Sequence, residues 1–182
     1  MGLSSDLRKF IDPGYDDFEG FPTDGASVAS KWGGAFAAAF KDALTPSTAG
    51  GLISEGSEVL LTQTLTAAFP PDADPLPQLP AALDAALTAA AADVVSKSNT
   101  PLPATAAVAP SSPYNSATEV FKGLTLEGPN EENPEGESVG KQIADLAEAR
   151  FDSWIQTGKY VGLAASASPV PDTKWGSPPV ED

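Results

Sequence analysis

The segment Gly136-Glu-Ser-Val-Gly140-Lys141 is this sequence's nearest approach to a phosphate-binding loop. Such a loop needs four residues between its glycines and a Ser or Thr after the Lys, so that backbone N–H groups cradle phosphates and the hydroxyl meets a metal. Here three residues separate the glycines and Gln142 follows the Lys. Acidic residues precede it where a strand belongs, so the segment reads as a helix N-terminus. Glu131, Asn133, Glu135 and Gly136 match the first half of a calcium-binding loop, but Gln142 stands where the bidentate Glu belongs. Asp12, Asp16 and Asp17, and separately Asp72 and Asp74, are weaker cation candidates, and solvated acidic loops describe all of them better. Carboxylates for glycoside hydrolysis abound, yet that chemistry needs a sugar-binding cleft on a substantial scaffold.

His and Cys are both absent. Their absence removes the commonest general base, the commonest metal ligand and every Ser-His or Cys-His nucleophile pair. The sequence therefore predicts no catalytic, cofactor-binding or metal-binding residue, and no enzyme. A formal net charge of -15, from 25 acidic and 10 basic residues, repels phosphate backbones and anionic membranes. Nucleic-acid and membrane partners are thereby disfavoured. A salt-adapted surface is the bland explanation of the same charge. No secretory apolar stretch opens the sequence and no apolar run is long enough to span a bilayer, which predicts a protein made and kept in the cytosol, or leaving it only by lysis or within an assembly.

The elements follow from periodicity and from the clustering of 16 Gly and 18 Pro. The fold class expected is all-α, a small bundle of about four helices with extended N- and C-terminal arms. Residues 1–23 read as an irregular arm, broken by Pro13, Gly14, Gly20 and Pro22. A helix over 24–44 follows, capped by Asp24 or Ser27, with Val28, Trp32, Phe36, Phe40 and Leu44 on one face. Ala35, Ala39 and Ala43 beside them admit a close neighbour. Helices are also expected over 57–69, with Leu61, Leu65 and Phe69 in a stripe, and from Pro80 to Lys97, with Leu83, Leu87, Ala90 and Val94. The core thus covers 24–98. Residues 99–137 form a Pro/Ala-rich and acidic linker, within which 115–126 suits helix or strand equally. A last helix spans 138–160, with Val139, Ile143, Leu146, Ala147, Arg150 and Trp154 on one face, Phe151 and Ile155 widening it and Gly158 as its C-cap. Residues 161–182 form the extended tail.

Five aromatics in the arms are the candidate partner-binding residues: Phe10, Tyr15, Phe18, Phe21 and Trp175. Those near the N-terminus either pack back on the chain's own core or form a docking arm on a neighbouring subunit. Trp175 is the large anchor of the tail and needs something to sit on, whether self or partner.

The helix at 31–44 (KWGGAFAAAFKDAL), the segment at 49–69 and the segment at 144–162 running into a Pro/Gly tail resemble small α-helical structural proteins of tailed bacteriophages, of the neck or tail of contractile particles. The resemblance spans about half the chain and implies a non-catalytic virion component, made in the host cytoplasm. Such a subunit oligomerises through helix faces and clasps itself and neighbouring virion subunits with its arms. The alternative is an acidic monomeric adaptor or assembly chaperone that binds a basic partner.

Overall fold

The computed structural model describes residues 2–44, 55–68, 79–98, 105–110, 114, 136–162 and 173–175. The bulk of this part is helical, as the sequence predicts. Its five helices are α1 (Leu3–Ile11), α2 (Gly25–Leu44), α3 (Glu55–Ala68), α4 (Leu79–Ser98) and α5 (Val139–Ile155). The proline-rich link after Phe69, residues 115–126, the acidic loop at 128–135 and most of the tail lie outside the described residues.

α1 corrects the reading of residues 1–23 as an irregular arm. Leu3, Leu7 and Phe10 fall at i, i+4 and i+7 and are all buried, so the short helix is held by one apolar stripe. It stops at Asp12, whose φ of -122° and ψ of 95° are extended backbone, as the residue before Pro13 requires.

α2 starts on a reciprocal cap. Asp24 Oδ1 accepts the N–H of Ser27 at 2.7 Å, and Ser27 Oγ accepts the N–H of Asp24 at 3.1 Å. Val28, Trp32, Phe36, Phe40 and Leu44 are all buried, the face expected from their spacing. α3 crosses this helix at Gly33, where an added Cβ would stand 3.0 Å from Thr62 Oγ1 and 3.1 Å from Thr62 Cα. Leu61 and Leu65 of α3 are buried, as are Leu83, Leu87, Ala90 and Val94 of α4. α3 packs between α2 and α4, while α1 packs on both α2 and α5.

α5 is shorter than expected, and of its expected face Ala147, Phe151, Trp154 and Ile155 are buried while the rest is not. Its buried residues are Gly140, Ala144, Ala147, Phe151, Trp154 and Ile155, whereas Arg150 is exposed and Val139, Ile143 and Leu146 are half-buried. Small residues lead that face because α1 crosses there at close range. A Cβ on Gly140 would overlap the carbonyl of Ile11 and lie 2.8 Å from Asp12 Cα.

Two further corrections concern the segments expected to be linker and tail. β1 (Thr105–Val108) lies in the linker, β2 (Lys159–Gly162) replaces the expected end of the last helix, and β3 (Thr173–Lys174) lies in the tail. They form an antiparallel sheet in the order β1-β2-β3, with Thr105 opposite Gly162 and Lys159 opposite Lys174. Trp175, at the end of β3, is fully buried, and its N–H donates to the Gly158 carbonyl at 3.0 Å. Gly158 is therefore not a left-handed helix cap. A Cβ there would stand 2.7 Å from the Trp175 ring, and the chain folds back against itself because that side chain is missing.

The centre of the core is aromatic. Phe36 meets Trp32, Tyr114 and Phe151, and Phe40 meets Phe151, Trp154 and Trp175, with ring centroids 5.6–6.4 Å apart. Such pairs each add about 0.5–1.5 kcal/mol beyond area burial. Tyr114 also donates its hydroxyl to the Ala147 carbonyl at 2.9 Å, and burial pushes its pKa up.

The three glycines at helix crossings separate cleanly. Gly34 has open space where a Cβ would stand, so Gly34→Ala should stabilise by up to about 1 kcal/mol through helix propensity. Gly140→Ala should destabilise by about 1–3 kcal/mol, because the overlapped neighbour is backbone, and Gly33→Ala should fall between the two, its tight contact with Thr62 offsetting the propensity gain. Urea denaturation of the three variants checks the order.

Candidate interaction surface

Residues 12–24, between α1 and α2, form the surface element with the most built geometry. It begins at Asp12, whose side chain is 1% exposed. Asp12 Oδ1 accepts Ser138 Oγ at 2.6 Å and the N–H of Gly14 at 3.1 Å, while Oδ2 accepts Arg8 Nε at 2.8 Å. Ser138 is also the N-cap of α5, its Oγ accepting the N–H of Lys141 at 3.1 Å. One hydroxyl thus caps α5 and ties it to the end of α1, and the Asp12 carboxylate sits at the positive end of the α5 dipole. Burial works to raise the Asp12 pKa, but the hydrogen bonds from Ser138, Arg8 and Gly14 outweigh it and hold the carboxyl below its ordinary value.

A second tie lies about two turns away, toward the start of α1 and along α5. Ser4 Oγ donates to Asp145 Oδ1 at 2.5 Å, and the Ser4 N–H donates to Glu148 Oε1 at 3.2 Å. Burial pushes the Asp145 pKa up, and its bonds from Lys141 and Ser4 pull it down to a net lowering.

From Asp12 the loop is pinned by main-chain bonds. Tyr15 N donates to Asp12 O and Phe18 N to Tyr15 O, both at 3.0 Å, and Glu19 N donates back to Lys9 O at 2.6 Å. The Arg8 guanidinium lies 4.4 Å from the centre of the Tyr15 ring, and Lys31 of α2 pairs with Glu19 at 3.3 Å. Gly20 then takes a φ of 106°, a left-handed conformation that L side chains rarely adopt. That turn carries the chain to Phe21, which is 60% exposed and packs edge-to-face on Phe18 at 5.2 Å. Asp16 and Asp17 of the same loop are exposed, and no basic residue occurs in the sequence between Lys9 and Lys31.

The structure divides the five partner-binding candidates. Phe10 is buried in the chain's own core, edge-to-face on Trp32 at 5.9 Å, and Trp175 is buried against Phe40. Neither offers a surface. Tyr15 and Phe18 are half-buried supports, and Phe21 is presented to solvent. The Asp12, Asp16, Asp17 candidate for a cation is resolved otherwise, since Asp12 faces inward onto Ser138 and Arg8. Among the described residues no group of three or more His, Cys, Asp or Glu is placed to hold a metal ion. Asp72, Asp74 and the calcium-type segment 131–135 lie outside the described residues. The Gly140-Lys141 end of the phosphate-loop-like segment is the helix start expected, with Gly140 serving the α1 crossing.

The α2–α3 crossing leaves a second feature, a groove of about 410 Å3 lined by Ser30, Gly34, Ala37, Ala38, Val59, Thr62 and Gln63. None of these is charged, and Val59 is 50% exposed. No described helix is long and apolar enough to cross a membrane. Comparison with known protein families, curated proteins and solved structures finds no match.

Both depressed carboxylates have folded pKa values below their unfolded ones, so their contribution is complete above about pH 4 and is lost as pH falls through the lower folded values. Acid titration of stability should therefore show a steep loss below about pH 4 that Asp12→Asn flattens. Trp175→Ala should cost about 3–5 kcal/mol, as for a buried Trp, whereas a partner-docking Trp would leave the isolated chain's stability unchanged.

Proposed function

We propose that this protein is a non-catalytic assembly subunit that docks on other proteins through the loop at 12–24 and associates with copies of itself through helix faces. The observation that carries the reading is Phe21, held 60% exposed on a loop fixed at both ends. Contact with a partner would take the exposed edge of this Phe18–Phe21 pair out of water, which favours association. A chain with neither His nor Cys supports a binding role in the same sense.

Self-association is assigned to the groove between α2 and α3. At a net charge of -15 two copies repel over most of their surface. The uncharged lining around Gly34, Ala38 and Val59 is where helix backbones of two copies approach at least electrostatic cost. The resemblance of 31–44, 49–69 and 144–162 to neck and tail proteins of tailed bacteriophages makes a virion the assembly proposed. A bundle core with arms that clasp neighbours is the finer architecture it implies.

The exposed Asp16 and Asp17 favour a second reading, an acidic adaptor or assembly chaperone for a basic partner. Light scattering at low and moderate salt separates the two. A discrete oligomer that persists in salt, and that Gly34→Glu dissociates without loss of helical content, supports the assembly subunit. A monomer at both salt concentrations contradicts it and favours the adaptor.

A further inference from the structure

We infer that the loop at 12–24 recognises a basic protein segment, one that offers an apolar side chain or pocket to Phe21 between Lys or Arg residues. The inference rests on the reading of this loop as the docking element and adds the chemistry of what docks.

Phe21 and Phe18 form one edge-to-face unit, so the partner meets an aromatic corner rather than a lone ring. The loop that carries this corner is acidic on balance, with Lys31 paired to Glu19 and Arg8 to Asp12. Asp16 and Asp17 are exposed, while Asp12 is consumed by Ser138 and Arg8, and Asp24 by the α2 cap. Glu19 keeps a single ion pair to Lys31 and is itself 61% exposed at its side chain. A partner that covers Phe21 therefore meets a loop whose exposed Asp16 and Asp17, with the partly compensated Glu19, leave it acidic. Lys or Arg flanking the apolar contact supplies the matching charge, whereas acidic or phosphate-bearing partners are repelled.

The geometry also favours binding without reorganisation. The Glu19-to-Lys9 main-chain bond, the Arg8–Tyr15 stack and the Asp12 clamp fix the loop before contact, so little ordering entropy is lost when a partner arrives. The charges set the approach and the aromatic corner sets retention.

The test uses the full chain and a fluorescein-labelled peptide with a Leu-Trp pair flanked on each side by two arginines, read by fluorescence anisotropy. A peptide with Glu in place of Arg and one with Ser in place of Leu-Trp serve as controls. The basic apolar peptide is expected to bind, the Glu peptide not at all, and the Ser peptide more weakly. Phe21→Ser should weaken binding about tenfold. The double variant Asp16→Asn, Asp17→Asn should weaken it and reduce its salt dependence. Unchanged thermal midpoints in both variants establish that the fold is intact. Binding of the Glu peptide, binding indifferent to Phe21→Ser, or failure of the basic peptide to bind overturns the inference. Light scattering on the same samples reports self-association separately. An oligomer that forms while the peptide fails to bind rejects the partner chemistry alone, and a monomer that binds the peptide rejects the self-assembling reading alone.

Discussion

The carboxylate of Asp12 joins the end of α1 to the start of α5, and the rest of the structure is arranged around that junction. A buried charge is costly unless every lone pair finds a donor. Asp12 has Ser138, Arg8 and the Gly14 N–H, together with the positive end of the α5 dipole. The junction is only possible because Gly140 lets the first turn of α5 reach the backbone of Ile11 and Asp12. Once α1 is fixed there, Leu3, Leu7 and Phe10 complete the core, and the chain leaving Asp12 is already aimed at the loop that presents Phe21. A fold constraint and the proposed docking element thus share one residue.

Aromatic packing fills the space that this framework encloses. α2, α4 and α5 owe much of their apolar character to Ala, which buries little area, so the helices need large groups between them. Phe36, Phe40, Phe151, Trp154 and Trp175 supply these, with Tyr114 satisfying its buried hydroxyl on the Ala147 carbonyl. Trp175 shows how the parts depend on one another. The tail is held by a ring that rests on Gly158, and the sheet is built from β1, β2 and β3 on either side of that return.

Local periodicity revealed what was local in origin. The stripe from Val28 to Leu44, the Leu61–Leu65 pair and the Leu83-to-Val94 face were legible because a helix repeats its neighbours every three or four residues. α1 was equally periodic at Leu3, Leu7 and Phe10, but Pro13 and Gly14 drew the whole segment into an irregular reading. On α5 the periodicity picks out Ala147, Phe151, Trp154 and Ile155, all buried, but not Gly140 and Ala144, because nothing local shows that small residues mark the side where α1 approaches. Nothing local joins Ser138 to Asp12, which are 126 positions apart, or places Trp175 against Phe40. Those pairings exist only after the chain has folded. The aromatics of the first arm were recognised as candidates, but their division into buried Phe10 and exposed Phe21 depends on where α1 ends.

Function in this reading follows from rigidity rather than reactivity. A docking loop that is ordered before contact requires the Asp12 junction, and the same ties that stabilise α1 hold Phe21 in water. Amide hydrogen exchange at Tyr15, Phe18 and Glu19 measures that link directly. In the unmodified chain these three N–H groups, bonded to Asp12 O, Tyr15 O and Lys9 O, should be protected, and Ser138→Ala should expose them while the centres of α2 and α4 stay protected. Exchange at the rate of an unstructured chain before any substitution, or protection that Ser138→Ala leaves untouched, would contradict a loop organised by that junction.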